Sequence, residues 1–286
     1  MEVLQQISKL STSPSGAGGE IVYIIKIGGN IIDDETKLSS FLKSFASIKE
    51  KKILVHGGGK LATKLAEKMG VEQQMIDGRR ITDAETLKIV TMVYAGYINK
   101  NIVAQLQANN CNAIGLSGAD GDLIKAHKRK HATIDYGFVG DIDVVNVGLL
   151  KTLLDKDIAV VAAPITHDGN GSLLNTNADT IAQEIAKALG KYYQTALIYS
   201  FEKNGVLLNV DDDNSVIPLI DTAYYAELKN KQLIFAGMIP KLDNAFAALQ
   251  NGVGKVIIGK AENLEQLVNG ESGTAILLQR DTGNNE

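Results

Sequence analysis

The chain has one cysteine, Cys111, among its 286 residues. A single thiol excludes an internal disulfide and fits a reducing compartment, so a cytoplasmic location is expected. Cys111 itself reads as a small buried or half-buried residue. No apolar run approaches the ~20 residues of a membrane span, and residues 1–20 lack the apolar core of a signal peptide. The net charge is −4 with no long basic tract, which leaves no electrostatic footprint for nucleic acid. The four histidines (56, 127, 131 and 167) show no metal-ligand spacing. His127 and His131 flank Lys128-Arg129-Lys130, which would repel a cation, and both read as surface-loop residues. Asp211-Asp212-Asp213 lacks the downstream Glu of a calcium loop and reads as a solvated turn. No metal-ligating residue is therefore assigned.

What is present is an α/β pattern. Hydrophobic residues make up 45% of the chain, enough for one large core or two lobes. Ser11 to Gly19 is rich in Ser, Gly and Pro and reads as a mobile linker, so residues 1–20 form a flexible extension; Met1 to Leu10 is marginal as a lone helix. Strands and helices then alternate, which indicates a largely parallel sheet with helices on both faces. Gln74 to Thr82 reads as a short hairpin with Asp77-Gly78 at its turn. Thr82 or Asp83 caps a long helix to about Asn109 with a broad apolar stripe. Residues 122–128 and 138–145 read as antiparallel strands. Ile158 to Ala163 and Thr195 to Tyr199 read as core strands, and a helix from Asn177 or Asp179 to Leu189 precedes a lobe boundary placed at 191.

Two glycine turns carry the chemistry. Ile21 to Ile27 is an apolar strand with Lys26 inside it, followed by Gly28-Gly29. A lysine is seldom buried without an anionic partner, and glycine amides can approach an anion with no Cβ in the way. Together they suggest a phosphate site at the carboxyl edge of the sheet; the competing reading is a lysine snorkelling from an edge strand before an ordinary turn. A second strand, Lys52 to His56, runs into Gly57-Gly58-Gly59 and a helix, whose N-terminal amides favour negative charge. Further on, Asn175-Thr176-Asn177-Ala178-Asp179 offers more polar groups than one helix cap needs. Pro240 suits the first position of a helix and puts Lys241 in its first turn, against the dipole; an anionic ligand or simple exposure would explain that.

Three competing motifs fit less well. Gly57 to Ala62 matches a dinucleotide fingerprint, but no apolar strand ending in an acid follows. His56-Gly57-Gly58-Gly59 is similar to an esterase oxyanion loop, yet Gly115-Leu116-Ser117-Gly118-Ala119 lacks the last glycine of a nucleophile elbow. Gly254 to Ala261 nearly copies a Walker A loop, but its Val-Ile-Ile centre reads as a strand and the Ser/Thr is missing.

Five ordered motifs, at Lys26–Gly29, His56–Gly59, Gly78–Thr82, Asn175–Asp179 and Gly237–Lys241, resemble the acylglutamate kinases of arginine biosynthesis, members of the amino-acid kinase superfamily, over about residues 21–280. The resemblance implies a three-layer αβα sandwich on a mainly parallel sheet. It implies transfer of the γ-phosphoryl group of ATP, with Mg²⁺ held through the phosphates, to the γ-carboxylate of an N-acylglutamate. By the same resemblance, Lys26 and Lys241 face the phosphoryl group and ATP phosphates, and Gly28 and Gly29 donate amides to the phosphates. Gly58 and Gly59 lie at the reacting centre. Arg80 pairs with the α-carboxylate, Asn175 and Asn177 bind the acylated amino acid, and Asp179 holds the lysines. Residues 21–190 would bind the amino acid and form a homodimer through the long helix, and 191–286 would bind ATP. An acetyl substrate is usual and a succinyl one possible. The chain departs from the family at Ile198 to Val206, where Phe201 stands for an aspartate in a longer loop. Aspartate, carbamate and uridylate kinases share the Lys-x-Gly-Gly start. Rival functions outside those kinases are a ligand sensor without turnover and an NAD-linked oxidoreductase.

Overall fold

Strands buried along nearly their whole length build the centre. Val22, Ile24, Ile53 and Val55 pack on one face, while Tyr23, Ile25, Ile27 and Leu54 pack on the other, as a period of two requires for a sheet covered on both sides. The computed structural model describes residues 19–76, 79–234 and 238–278. Residues 1–18 of the expected extension 1–20, the Asp77-Gly78 turn and Gly237 lie outside them.

In chain order, the first half comprises β1 (Ile21–Ile27), a one-turn α1 (Gly29–Ile32), α2 (Glu35–Ser47), β2 (Lys51–His56), α3 (Gly59–Lys68), β3 (Met75–Ile76), β4 (Arg79–Arg80), α4 (Ala84–Thr91), α5 (Asn99–Ala108), β5 (Ala113–Leu116), β6 (Ile124–Lys128), β7 (Gly140–Val145), α6 (Val147–Leu154), β8 (Ala159–Ala162), β9 (Ile165–His167), β10 (Leu173–Asn175) and α7 (Ala178–Leu189). The second half has β11 (Gln194–Phe201), β12 (Leu219–Ile220), α8 (Thr222–Asn230), α9 (Ile239–Gln250), β13 (Lys255–Lys260), α10 (Leu264–Asn269) and β14 (Thr274–Ile276). Eight strands form one sheet in the order β12-β14-β13-β11-β1-β2-β8-β5. Only the β13–β14 pair in it is antiparallel. Helices α6, α7 and α9 cover one face; α2, α3, α4, α5 and α10 cover the other. This is the expected αβα sandwich. The sheet runs unbroken across residue 191, since β1 and β11 pair along their full shared length.

A second sheet, β10-β9-β6-β7, stands beside the first. Its β6–β7 pair is antiparallel, as the alternation predicts. His127 lies on β6 and not in a loop: its Nδ1 meets Asp143 at 2.7 Å across the hairpin. His131 does lie in the connecting loop.

The long helix expected from 83 to 109 is present but not uniform. Asp83 caps it, accepting from Thr86 N. Between α4 and α5, however, Met92–Ile98 is a π-helical stretch. Such a stretch adds residues to the turn and resets which side chains face inward. Helices α1, α2, α6 and α10 carry the chain where no helix was expected. For α2 the signal is present: Asp34 caps it, and Leu38, Phe41, Leu42 and Phe45 face the core.

Candidate active site

Lys26 shares a face of β1 with Val22 and Ile24, the face covered by α7. There its Nζ meets Asp179 Oδ1 at 2.8 Å. Asp179 sits in the first turn of α7, where the dipole favours a carboxylate. Asn177 caps the same helix, its side-chain oxygen accepting from the amides of Asp179 and Thr180. The capping reading therefore accounts for that oxygen, and the exposed Asn177 reaches a ligand only with its amide nitrogen.

The two glycine turns lie side by side. Gly57 N donates to Ile27 O at 3.1 Å, and a Cβ on Gly57 would lie 4.0 Å from the amide nitrogen of Gly29. Gly58 has φ +147°, and a Cβ there would fall 2.3 Å from Ile98 Cδ1; the turn needs glycine on both counts. Ile98 and Tyr94, which press on Gly58, come from the π-helical stretch.

Below the turn, His56 is fully buried. Its Nδ1 contacts Gly57 O at 2.8 Å, and Asn99 Nδ2 lies 3.2 Å from Nε2. Asn99 Nδ2 also donates to Val161 O at 3.0 Å. An amide nitrogen can only donate, so the ring accepts at Nε2 and carries its proton at Nδ1. Burial pushes the imidazole down to about 4, so it is neutral near pH 7.

Arg80 is 9% exposed. Its Nη2 donates to Gly59 O at 3.0 Å and Thr63 Oγ1 at 2.9 Å, and Nη1 donates to Gln73. All are neutral acceptors, and among the described residues Arg80 has no ion pair. A buried cation so placed calls for an anion. Asn175 joins this group through Thr82: Asn175 Nδ2 donates to Thr82 Oγ1 at 3.0 Å, and that hydroxyl donates to Arg80 O at 3.3 Å.

A cleft of about 450 Å³ opens over the carboxyl edge of the sheet, lined by four of the sequence-assigned residues, Gly28, Gly29, Gly59 and Lys241. Asn30, Lys60, Ser200, Phe201, Glu202 and Lys203 complete most of its wall. Lys60 Nζ donates to Asn30 Oδ1. Ser200 is buried and its Oγ has no partner among the described residues. Lys241 lies in the first turn of α9, which begins one residue before Pro240. Burial first, and then the neighbouring Lys26, push its ammonium below the ordinary lysine range, against the pull of Asp179 and Glu202. Lys26 and Asp179 are not among the residues lining the cleft; Asp179 links them to it through its effect on Lys241. Arg80, Asn175 and Gly58 are likewise not among the residues lining the cleft; Arg80 joins it through Gly59, to whose carbonyl it donates. A larger hollow of about 560 Å³ sits at the opposite edge of the sheet, around Lys52 and Cys111, and includes none of these residues.

No sequence motif marks Tyr94, whose hydroxyl faces Arg80, or Thr63 and Gln73, which orient that arginine. They come from helical positions and a loop whose meeting only the fold creates. Among the described residues no group of three His, Cys, Asp or Glu is placed to hold a metal ion, and no helix is long and apolar enough to cross a membrane.

Comparison with known proteins fits this geometry. Acetylglutamate kinase from Cytophaga hutchinsonii is 59% identical over 249 residues, covering 87% of this chain and 94% of that protein. Acetylglutamate kinase from Phocaeicola vulgatus is 52% identical over 257 residues, 90% and 98% of the two chains. Among solved structures, the Streptococcus mutans UA159 protein smu.665 superposes with a TM-score of 0.71 at 28% identity, over 91% of this chain and 99% of that one. Carbamate kinase from Giardia lamblia bound to AMP-PNP shares the fold with a TM-score of 0.64 at 17% identity, over 91% and 99%. Residues 22–260 match the model of the amino acid kinase family, and the chain belongs to that family.

Proposed function

We propose that the chain is an acetylglutamate kinase: it transfers the γ-phosphoryl group of ATP to the γ-carboxylate of N-acetyl-L-glutamate. The observation that carries the reading is the cleft, where two glycine turns and Lys241 converge beside a buried arginine that has no anionic partner among the described residues. The names of the relatives, matched over more than nine-tenths of their length, support the same acceptor.

The chemistry suits these residues. The acceptor carboxylate is already ionised, so an oxygen of it attacks the γ-phosphorus as the bond to ADP breaks, with no proton to move. Rate then comes from alignment and charge. Lys26 and Lys241 offset the charge on the transferring phosphoryl group, and Asp179 holds Lys26 at 2.8 Å. Gly28 and Gly29 offer amides to the ATP phosphates, and Gly58 and Gly59 to the reacting centre. Arg80 takes the α-carboxylate in its planar fork, with Asn175 and the Asn177 amide beside it. On this reading residues 21–190 supply the amino-acid side and 191–286, through Ser200 to Lys203 and Lys241, the nucleotide side. Among the described residues only Glu202 brings a carboxylate to the cleft wall, and Asp179 is engaged by Lys26, a donor set that fits Mg²⁺ carried in on ATP, where it would offset phosphate charge. The place of action is the cytoplasm and the pathway is arginine biosynthesis.

The test is direct. Purified protein with MgATP and N-acetyl-L-glutamate should release ADP and give an acyl phosphate trapped by hydroxylamine as the hydroxamate. N-succinyl-L-glutamate, aspartate and carbamate run alongside. Faster turnover of the succinyl compound reassigns the acyl group. Turnover of aspartate or carbamate alone reassigns the acceptor, and binding without ADP release leaves a ligand sensor.

A further inference from the structure

β11 ends on two aromatic residues of the same face. Tyr199 is buried against the α7 side of the sheet, and Phe201, two residues on, stacks on it with centroids 6.3 Å apart and planes inclined by 13°. Phe201 reaches the cleft wall. Lys241 Nζ lies 3.9 Å from the centre of its ring.

Among the described residues, no ion pair or hydrogen bond accounts for the position of Lys241. It stands in the first turn of α9, where the dipole repels a cation. Of the two acids close enough to act on it, Asp179 is engaged by Lys26 and Glu202 belongs to the cleft wall. Among the described residues Lys241 forms no ion pair and no hydrogen bond; the ring face is its one specific contact.

We propose that Phe201, braced by Tyr199, is the positioning residue of Lys241, holding its ammonium at the cleft without neutralising it. A carboxylate at this place would also attract the lysine, but it would cancel the charge offered to an incoming phosphate and would itself repel that phosphate. A ring face attracts a cation through its quadrupole, carries no net charge, and is strongest where water is excluded. Stacking on Tyr199 fixes the plane of the ring, so the ammonium is presented from one direction. Phe201 acts through Lys241 and touches no reacting atom. This inference rests on the reading that Lys241 faces the transferring phosphoryl group.

The experiment is a double-mutant cycle on the full chain, with kcat read in single turnover so that large losses stay measurable. Phe201→Leu removes the ring, Phe201→Met repeats that with a flexible side chain, and Phe201→Tyr restores a ring face. Leu and Met should each lower kcat about tenfold, as expected for a partly desolvated cation–π contact, with Tyr within about threefold of the parent. In a Lys241→Met background, Phe201→Leu should cost nothing more. Thermal unfolding of each variant separates misfolding from mispositioning. Parent-like turnover of Phe201→Leu and Phe201→Met, while Lys241→Met is impaired, overturns the role of Phe201 alone. A Phe201→Leu loss that persists undiminished in the Lys241→Met background also overturns it, because the ring then acts on something else. Full turnover of Lys241→Met overturns the role of Lys241 and this inference with it.

Discussion

Lys26 is the residue on which the proposed chemistry depends most. Its ammonium is fixed by Asp179 at 2.8 Å, with a Cβ on Gly28 only 4.0 Å away, so it faces the Gly28-Gly29 turn. Lys26→Ala should lower kcat by at least ~100-fold, the scale of one lost electrostatic donor, with a smaller change in KM; steady-state kinetics with near-parent kcat would remove it from the mechanism. Arg80 should behave differently. Arg80→Lys loses the fork that reaches Gly59, Thr63 and Gln73 at once, so KM for the acylglutamate should rise about tenfold or more while KM for ATP hardly moves. A defect confined to ATP would put Arg80 at the other ligand. Lys26 was legible as needing a partner because it lies inside an apolar strand, and Asp179 because it offers a carboxylate at a helix start; Arg80 came only through the motif resemblance. Asn177 was half legible, since one side chain can serve as cap and ligand contact. Phe201 was visible only as a departure from a motif. Its use depends on α9 arriving from forty residues away, which no local pattern reports.

At the scale of elements, the knot between β2 and α5 ties the glycine turn to the long helix. His56 and Asn99 meet because the π-helical stretch sets the register of α5, and the same stretch seats Tyr94 and Ile98 on Gly58. Pattern made the sandwich readable: continuous apolar runs gave β1, β2, β8 and β11, and caps gave the start of α4 and α7. A π-helical turn carries no such signal, because hydrophobic spacing through it still resembles an ordinary helix. His56 makes the knot measurable. At pH 7 the imidazole is neutral in both folded and unfolded chains. Below the ordinary value of 6.5 the unfolded chain binds a proton that the folded chain refuses until about 4. Stability therefore falls as pH drops through that window, by on the order of 3 kcal/mol in all. His56→Gln removes the titration, so between pH 7 and pH 4.5 the variant should lose about 2 kcal/mol less than the parent in urea unfolding. Equal losses in the two proteins would mean that His56 is not held neutral.

The whole molecule raises the question of assembly. Two large side chains on the π-helical stretch face outward, Met92 at 50% and Tyr97 at 64% exposure, while Val93, Tyr94 and Ile98 turn inward. The stretch thus carries apolar surface on both sides, more than one core contact uses, which is the property that led to a homodimer being expected from the sequence. Burying Tyr97 and Met92 against a second copy would remove that surface from water and would also brace the segment that holds Gly58. The expected result is a particle of two chains by light scattering. Tyr97→Glu should convert it to single chains and weaken turnover, because the glycine turn loses support from behind. Residues 1–18 lie outside the described residues, and from their sequence the extension should neither link dimers nor confer inhibition by arginine. A protein lacking residues 1–20 should then keep the same mass and the same response to arginine as the full chain. A larger assembly that falls to dimers on truncation would show the extension to be a linker, and a parent protein already of one-chain mass would place Met92 and Tyr97 in some other contact.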